Sequence, residues 1–241
     1  MIALLKKEVF TFFQNITGYI IIGLFLIVLG LFLWFFPTEF NILQSGLASF
    51  EPMFILIPWM FLFFIPAITM KLFAEEKRQG TLELLITKPV SEFQIVLAKY
   101  LSALVIIIIA ILPTLFYFII VQYFLSNHSV DTGAFWGSFI GMILLASSFA
   151  AVGVYSSSLT DNQVVAFLLA IVILLILYLG FGLLSQLSFL RPVSEFIEYL
   201  GMDFHYQSLS KGVLDSRDLV YFLSVDALFI LLTVIKLKSR N

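Results

Sequence analysis

The sequence predicts an all-α membrane protein with six transmembrane helices, and three observations support this fold class. Of the 241 residues, 61% are hydrophobic and only 12% are charged, whereas soluble proteins average about 45–50% apolar and about 25% charged residues. The mean hydropathy is +1.10, and a soluble domain of this size has too little interior to bury so much apolar surface. The apolar residues also fall in long continuous runs. Together these observations exclude a soluble domain.

Six of the apolar runs are suited to crossing a bilayer, which requires about 20 mostly apolar residues per helix. They cover residues 16–36, 52–72, 95–124, 133–158, 163–188 and 218–236. None shows the period-two alternation of a transmembrane β-barrel. The first run is too long for a signal peptide, and no small-residue cleavage site follows it, so we interpret it as a retained span. We interpret residues 1–241 as one transmembrane domain.

The distribution of Lys and Arg predicts the orientation. With six spans, both chain ends lie on the same side of the membrane. That side collects ten of the 13 basic residues: Lys6, Lys7, Lys71, Lys77, Arg78, Lys88, Lys99, Lys236, Lys238 and Arg240. The opposite side holds Arg191, Lys211 and Arg217. Because cytoplasmic loops are enriched in Lys and Arg, both termini are predicted to be cytoplasmic.

A dense charged module, AEEKRQGTLELLITKPVSEFQ, occupies residues 74–94 between the second and third spans. Ser91 and Gln94 have the spacing of a capping box, which would start the third span. Pro89 disfavours helix at Lys88, so a helix through TLELLIT should end there. The module is therefore predicted to form a short helix, a sharp break and a firmly started span.

The predicted short helix is amphipathic. Its apolar face comprises Leu82, Leu85 and Ile86, and the opposite face largely comprises Glu75, Arg78, Gln79 and Glu83. A helix of this kind lies along a membrane surface with its polar face toward the cytosol. The residues alone are equally consistent with a solvated loop that is only anchored at the interface.

A second loop on the same side, between the fourth and fifth spans, is shorter. Thr160-Asp161-Asn162-Gln163 has the spacing of another capping box, with Leu159 and Val164 placed as its hydrophobic staple. Two rigidly capped loops on one side suggest a docking surface. The alternative is that this loop only caps a helix.

The module resembles the hallmark of ABC-2-type transporter permeases. EEKRQGTLELLITKPVSEFQIVLAKY combines an acidic/basic pair, Gly-Thr-Leu-Glu-Leu-Leu, a Pro-Val-Ser turn and a lysine in the next helix. KKEVFTFFQNITGYI near the start and FHYQSLSKGVLDSRDLVYFLSV before the last span are similar to one subgroup. That subgroup is the gliding-motility-associated ABC transporter permease subunit, GldF, and the resemblance covers nearly the whole chain.

The resemblance implies the membrane-spanning subunit of an ATP-driven, exporter-type transporter in a bacterial cytoplasmic (inner) membrane. Its expected partners are a cytosolic ABC ATPase subunit, a second permease subunit (identical or different) and membrane lipid, with no nucleic acid. ATP and Mg would bind to the partner ATPase, so this chain would have no cofactor and no enzymatic activity. No Gly-x-x-x-x-Gly-Lys-Ser/Thr phosphate loop occurs in the sequence, which agrees with this division.

The resemblance also implies roles for particular segments. Residues 74–88 would be a cytoplasmic coupling helix that seats in the ATPase, residues 2–15 an N-terminal interfacial elbow helix, and residues 189–217 a short outer helical hairpin before the last span. The candidate ATPase-coupling residues are Glu75, Glu76, Lys77, Arg78, Gly80, Thr81, Glu83 and Leu84. A second cytoplasmic contact would comprise Thr160, Asp161, Asn162 and Gln163.

Residues within and between the spans raise further hypotheses. Asp226 is a carboxylate in an apolar span, so it has either a proton or substrate role or a hydrogen-bonded packing role. The small residues Gly133, Gly137 and Gly141 permit close helix contact, either within the chain or between subunits. No metal site is assigned, because His128 and His205 lack a partner set and the chain has no cysteine.

Two other functions stay open. A non-transporting assembly or mechanotransmission subunit would use the same coupling helix. A membrane-embedded enzyme acting on lipid-linked substrates would need a cluster of His, Asp, Glu or Ser near one membrane face. The spans offer only Asp226 and scattered serines such as Ser147 and Ser148, with no base in reach along the sequence.

Overall fold

A computed structural model describes residues 1–42, 50–86, 90–125 and 131–239, and these residues form helices and connecting turns without a strand. Among these described residues, six helices are long and apolar enough to cross a membrane: Ile16–Phe35, Glu51–Arg78, Glu92–Tyr123, Thr132–Leu159, Gln163–Ser185 and Ser216–Lys238. The predicted fold class is confirmed. The predicted helix end at Lys88, residues 126–130 with His128, and the side chain of Leu84 lie outside the described residues.

The first half of the chain contributes three spans. Helix α1 (Ile2–Gln14) precedes the first span, which consists of α2 (Ile16–Gly30) and a π-helical turn, Leu31–Phe35. The second span is α3 (Glu51–Thr69) continued by α4 (Lys71–Arg78), and the short helix α5 (Thr81–Ile86) follows it. The third span begins with α6 (Glu92–Ile111) and continues through a 3-10 turn, Leu112–Thr114, to α7 (Leu115–Ile120) and a π-helical turn, Val121–Leu125.

The second half of the chain contributes the fourth, fifth and sixth spans. The fourth span is α8 (Thr132–Leu159), and the fifth comprises α9 (Gln163–Leu175), a π-helical turn (Ile176–Gly180) and α10 (Phe181–Ser185). A 3-10 turn (Ser188–Val193) then leads into two short helices, α11 (Ser194–Tyr199) and α12 (Met202–Leu209), which lie in the predicted hairpin segment. The last span is α13 (Ser216–Lys238).

Helix α8 is the centre of the bundle and packs against α3, α6, α9 and α13. In its apolar window 83% of the residues are buried, compared with 22% in the first and fifth spans. Its small residues explain this close packing. A Cβ atom on Gly137 would lie 2.3 Å from the Gly212 carbonyl oxygen, and one on Gly141 would lie 2.5 Å from Leu209 Cβ. The space left by the missing side chains of both glycines is therefore filled by residues of the same chain, Gly212 and Leu209.

The structure corrects the predicted shape of the charged module. The helix of the second span does not end near residue 72 but reaches Arg78, and the expected single helix over 74–88 is divided into α4 and α5. Gly80 lies in the turn between them with φ +67°. Side chains with a Cβ atom rarely adopt this left-handed conformation, so the glycine permits the sharp turn. The start of α6 agrees with the prediction, because Ser91 Oγ accepts a hydrogen bond from Gln94 N at 3.3 Å.

We call the end of the bundle that carries α1, α4, α5 and the turn at residues 159–163 the terminal face. Helix α1 packs against α6, and α4 packs against α8 and α9. The charged module is therefore not an isolated loop, because its helix α4 packs against the fourth and fifth spans.

Candidate functional site

The junction between α3 and α4 is bonded to the central helix α8. Ser157 Oγ accepts hydrogen bonds from the backbone N–H groups of Phe73 (3.0 Å) and Ala74 (3.1 Å), and it donates one to the Met70 carbonyl (2.9 Å). The first N–H groups of a helix have no partner within it, so Ser157 supplies a cap from another span. This bonding fixes the start of α4 to α8.

Close packing reinforces the same junction. A Cβ atom on Gly153, one turn before Ser157 in α8, would lie 2.1 Å from Thr69 Oγ1. Thr69 is fully buried, and its hydroxyl donates to the Ile65 carbonyl at 3.0 Å. Only glycine at position 153 leaves room for this side chain. The end of α3 and the start of α4 are therefore held against α8 by both packing and hydrogen bonds.

A buried group of charges ties three further elements together, and we call Lys99, Glu76, Glu8 and Lys7 the Lys99 cluster. Lys99 Nζ in α6 is 2.9 Å from Glu76 Oε2 in α4 and 3.2 Å from Glu8 Oε1 in α1. It also donates to the Leu72 carbonyl at 2.5 Å. The Lys99 side chain is 0% exposed. A buried ammonium is tolerated only when it is paired and hydrogen-bonded in this way.

Lys7 completes the Lys99 cluster at its exposed edge. Its Nζ lies 3.3 Å from Glu76 Oε1 and 3.4 Å from Glu8 Oε1. Burial lowers the pKa of Lys7, but the Glu8 and Glu76 carboxylates outweigh this effect and raise the pKa above its ordinary value. The cluster thus holds two ammonium groups and two carboxylates, which balance each other's charge.

Other predicted coupling residues also bind within the chain. Glu75 accepts hydrogen bonds from Arg78 at 2.7 Å and Gln79 at 2.5 Å, and also from the Gln163 side-chain amide. Lys77 Nζ donates to the Ser158 carbonyl. The contact between Glu75 and Gln163 joins the two loops that the sequence predicted as separate contacts.

The exposed part of the module is smaller than predicted, and we call Arg78, Gln79, Gly80, Thr81 and Glu83 the exposed tip. All five are exposed, whereas Glu76 is buried and Leu82 is only 3% exposed. The buried Leu82 agrees with the predicted amphipathic pattern. The exposed tip presents charged and polar groups on a base that is fixed by the Lys99 cluster and Ser157.

The second loop differs from its prediction in how its helix is capped. Asn162, not Thr160, is the N-cap of α9: Asn162 Oδ1 accepts from Val164 N at 2.9 Å and from Val165 N at 3.4 Å. The capping box and the staple with Leu159 were wrong, because α9 begins at Gln163 and Thr160 lies too far before it. Thr160 Oγ1 instead accepts from Asn162 N at 3.2 Å.

The second loop and the exposed tip share one depression. A cavity of about 470 Å³ is lined by Arg78, Asp161, Asn162, Gln163 and Val164. Asp161 and Asn162 are exposed. The terminal face therefore presents a contiguous polar surface made by the two loops.

Asp226 lies inside the bundle with three hydroxyl donors. Its carboxylate accepts from Tyr100 Oη at 3.0 Å, Ser147 Oγ at 2.8 Å and Ser148 Oγ at 2.7 Å. The sequence did not indicate that these serines reach an acid, because they belong to α8 and Asp226 to α13. All three residues are buried, with Asp226 6% exposed. Asp226 therefore joins α13 to α6 and α8 through hydrogen bonds.

His205 forms a second buried polar group, to which sequence reasoning assigned no site. Its Nδ1 is 2.7 Å from Asp218 Oδ1 and its Nε2 is 2.9 Å from the Tyr199 carbonyl, while Ser208 donates to the other Asp218 oxygen. The Tyr221 ring stacks on the imidazole at 3.9 Å. The contacts join α12 to α13.

Within the described parts of the chain, no three His, Cys, Asp or Glu side chains come together in a way that could hold a metal.

These features define a polytopic helical membrane protein whose charged surface lies at one end of the bundle. A family model described as ABC-2 family transporter protein matches residues 3–237, so the chain belongs to this family. It is therefore a membrane permease of an ABC transporter, and family membership implies an ATPase partner. A comparison with curated proteins finds no match.

Proposed function

We propose that the terminal face is cytoplasmic and docks a separate ABC ATPase subunit, so that ATP hydrolysis by that partner moves a substrate across a bacterial inner membrane. The observation that carries this proposal is the contrast within residues 75–83. Glu76 lies buried in the Lys99 cluster, whereas Arg78, Thr81 and Glu83 are exposed. A docking element needs both a fixed base and a free polar surface.

The contacts of α4 supply a route for force. The Lys99 cluster binds α4 to α6 and α1, and Ser157 binds its first turn to α8. Helices in a packed core move as rigid bodies because close-packed interiors compress little. A displacement of the exposed tip by the partner would thus be carried to the second, third and fourth spans together.

The roles of the predicted site residues divide accordingly. Arg78, Gly80, Thr81, Glu83, Asp161 and Asn162 would contact the ATPase, together with Leu84 and Thr160 of the same segments. Glu75, Glu76, Lys77 and Gln163 would position that surface through their contacts within the chain. ATP and Mg would bind to the partner, and Asp226 would serve packing between α6, α8 and α13.

The finer features of the proposal come from the resemblance in the sequence. The permease would work with a second permease subunit, identical or different, in an exporter-type complex surrounded by membrane lipid. The resemblance of KKEVFTFFQNITGYI to the GldF subgroup supports a link to gliding motility. A mechanotransmission subunit would use the same docking surface.

Copurification from native membranes tests the docking proposal. The Arg78→Glu/Glu83→Lys double variant reverses both charges of the exposed tip and leaves the Lys99 cluster intact. The control, Lys236→Glu/Lys238→Glu, reverses two exposed charges of the last turn of α13. We expect an ATPase to copurify with wild type and control and to fall about tenfold with the tip variant, since interface charges guide association. Equal recovery with both variants, or no ATPase with wild type, would refute the proposal.

A further inference from the structure

A cavity of about 630 Å³ lies beneath α1 at the terminal face, between α1 and α2 on one side and α3 and α4 on the other. This volume is within the range of about 300–1,000 Å³ that is typical of small-molecule sites. The chain turns sharply to enclose it. Asn15 is extended between α1 and α2 (φ −96°, ψ 133°), and a Cβ atom on Gly18 would lie 2.4 Å from the Phe12 carbonyl oxygen.

The lining of the cavity changes from polar to apolar. Lys71, Glu75 and Arg78 line it on the side of the charged module, and Phe12, Ile21 and Ile68 line it on the side of the spans. A wholly polar solute would leave the apolar part uncovered, and a wholly apolar one would leave the charges without a partner. The cavity therefore fits an amphiphile.

The charges of the cavity indicate the sign of its ligand. The Lys99 cluster is balanced internally, with two ammonium groups and two carboxylates. Of the remaining charged groups in the lining, Arg78 pairs with Glu75 at 2.7 Å. Lys71 has no carboxylate within 4.0 Å among the described residues, although it interacts electrostatically with Glu75. With the buried Lys99 counted, the groups in and directly beside the lining comprise four cations (Lys7, Lys71, Arg78, Lys99) and three carboxylates (Glu8, Glu75, Glu76), a net charge of +1.

We propose that this cavity holds one anionic phospholipid, with its phosphodiester at Lys71 and the upper part of an acyl chain against Phe12, Ile21 and Ile68. One phosphodiester carries the single negative charge that the cavity lacks. The lipid fills the space between α1 and the second span and joins the two elements without a covalent bond. This inference does not depend on the docking of an ATPase.

Native mass spectrometry of the full-length chain in detergent tests the proposal. Phosphatidylglycerol and phosphatidylcholine with identical acyl chains are titrated separately, and inorganic phosphate is added in a third arm. We expect one retained phosphatidylglycerol per chain, weaker phosphatidylcholine binding and no displacement by phosphate. Lys71→Gln should weaken phosphatidylglycerol binding about tenfold, the effect of losing one charge-assisted contact.

Three further variants make the test specific. Lys71→Arg should restore binding, because it keeps the positive charge. Ala67→Phe places a ring into the lining and should abolish retention of both lipids with an unchanged unfolding temperature. Lys236→Gln removes an exposed cation outside the cavity and should bind as wild type does.

Equal losses of phosphatidylglycerol binding in Lys71→Gln and Lys236→Gln would identify the lipid as non-specific annular lipid. Displacement by phosphate would identify an anion site without a lipid tail, and either result would overturn the proposal.

Discussion

Lys99 Nζ in α6 lies 2.9 Å from Glu76 Oε2 in α4, and the ammonium is completely buried. The two residues are 23 positions apart in the chain and were expected to have separate roles, one as a basic residue of the third span and the other as an ATPase contact. Because of this pairing, the Glu76 carboxylate, which was expected to contact a partner, instead holds two helices of the same chain together. It makes the position of α4 dependent on the third span.

Removal of this pairing should destabilise the protein. Glu76→Gln leaves the buried Lys99 ammonium with Glu8 as the one carboxylate within 4.0 Å among the described residues. We expect a loss of about 3 kcal/mol, the lower end of the range for one partner of a buried pair, because Glu8 remains. Thermal unfolding in detergent measures it. Glu83→Gln is the control, since Glu83 is exposed, and equal unfolding temperatures for the two variants would contradict the role of the cluster.

Loss of the cap from α8 should loosen the start of α4. Ser157→Ala removes the acceptor for the N–H groups of Phe73 and Ala74. We expect a cost of about 1–3 kcal/mol for the unsatisfied buried groups. Hydrogen exchange at those two amides should accelerate accordingly. Ser156→Ala is a matched control, because Ser156 is equally buried but its hydroxyl donates to Val152 in its own helix. Unchanged exchange in Ser157→Ala would show that the cap contributes nothing.

Overpacking at the same junction should have a comparable effect. Gly153→Ala brings a methyl group to 2.1 Å from Thr69 Oγ1, so α3 must shift away from α8. A cost of about 1–3 kcal/mol is expected for a clash in a packed core. At Gly182 in α10 a Cβ atom meets nothing within 4 Å, so Gly182→Ala should not lower the unfolding temperature. The prediction fails if both variants unfold at the wild-type temperature.

The turn at Gly80 should be sensitive to backbone strain alone. A Cβ atom at Gly80 meets nothing within 4 Å, yet its φ is +67°. Gly80→Ala should therefore cost about 1–2 kcal/mol, the left-handed penalty for a residue with a Cβ atom. Gly80→Asn should cost less, because Asn tolerates this conformation better. The rates of amide hydrogen exchange in α5 are measured for the two variants. Identical protection of the α5 amides in both would exclude backbone strain at position 80 as the cause of any destabilisation.

The local features of the chain were predictable from sequence wherever a short pattern decides the structure. The Ser91 cap was found because it depends on a residue three positions away. The second cap was assigned to Thr160 instead of Asn162, since both residues are good caps and the start of α9 differs by only two residues between the two assignments. Gly80 was expected to allow close approach or a bend, but its helical surroundings did not show that a positive φ there divides 74–88 into two helices.

Composition and apolar run length were enough to predict the class of this protein and its six spans, and the Lys and Arg bias predicted that both termini are cytoplasmic. The class and the number of spans can be predicted in this way because each long apolar run lowers its free energy when it moves from water into the hydrocarbon core of the bilayer. Which charges are available to a partner depends on the packing of the helices. Glu76 and Glu83 are both acidic residues of one module, but Glu76 faces Lys99 and Glu8, which are contributed by other helices. Such pairing depends on how distant segments pack, and no local pattern encodes it.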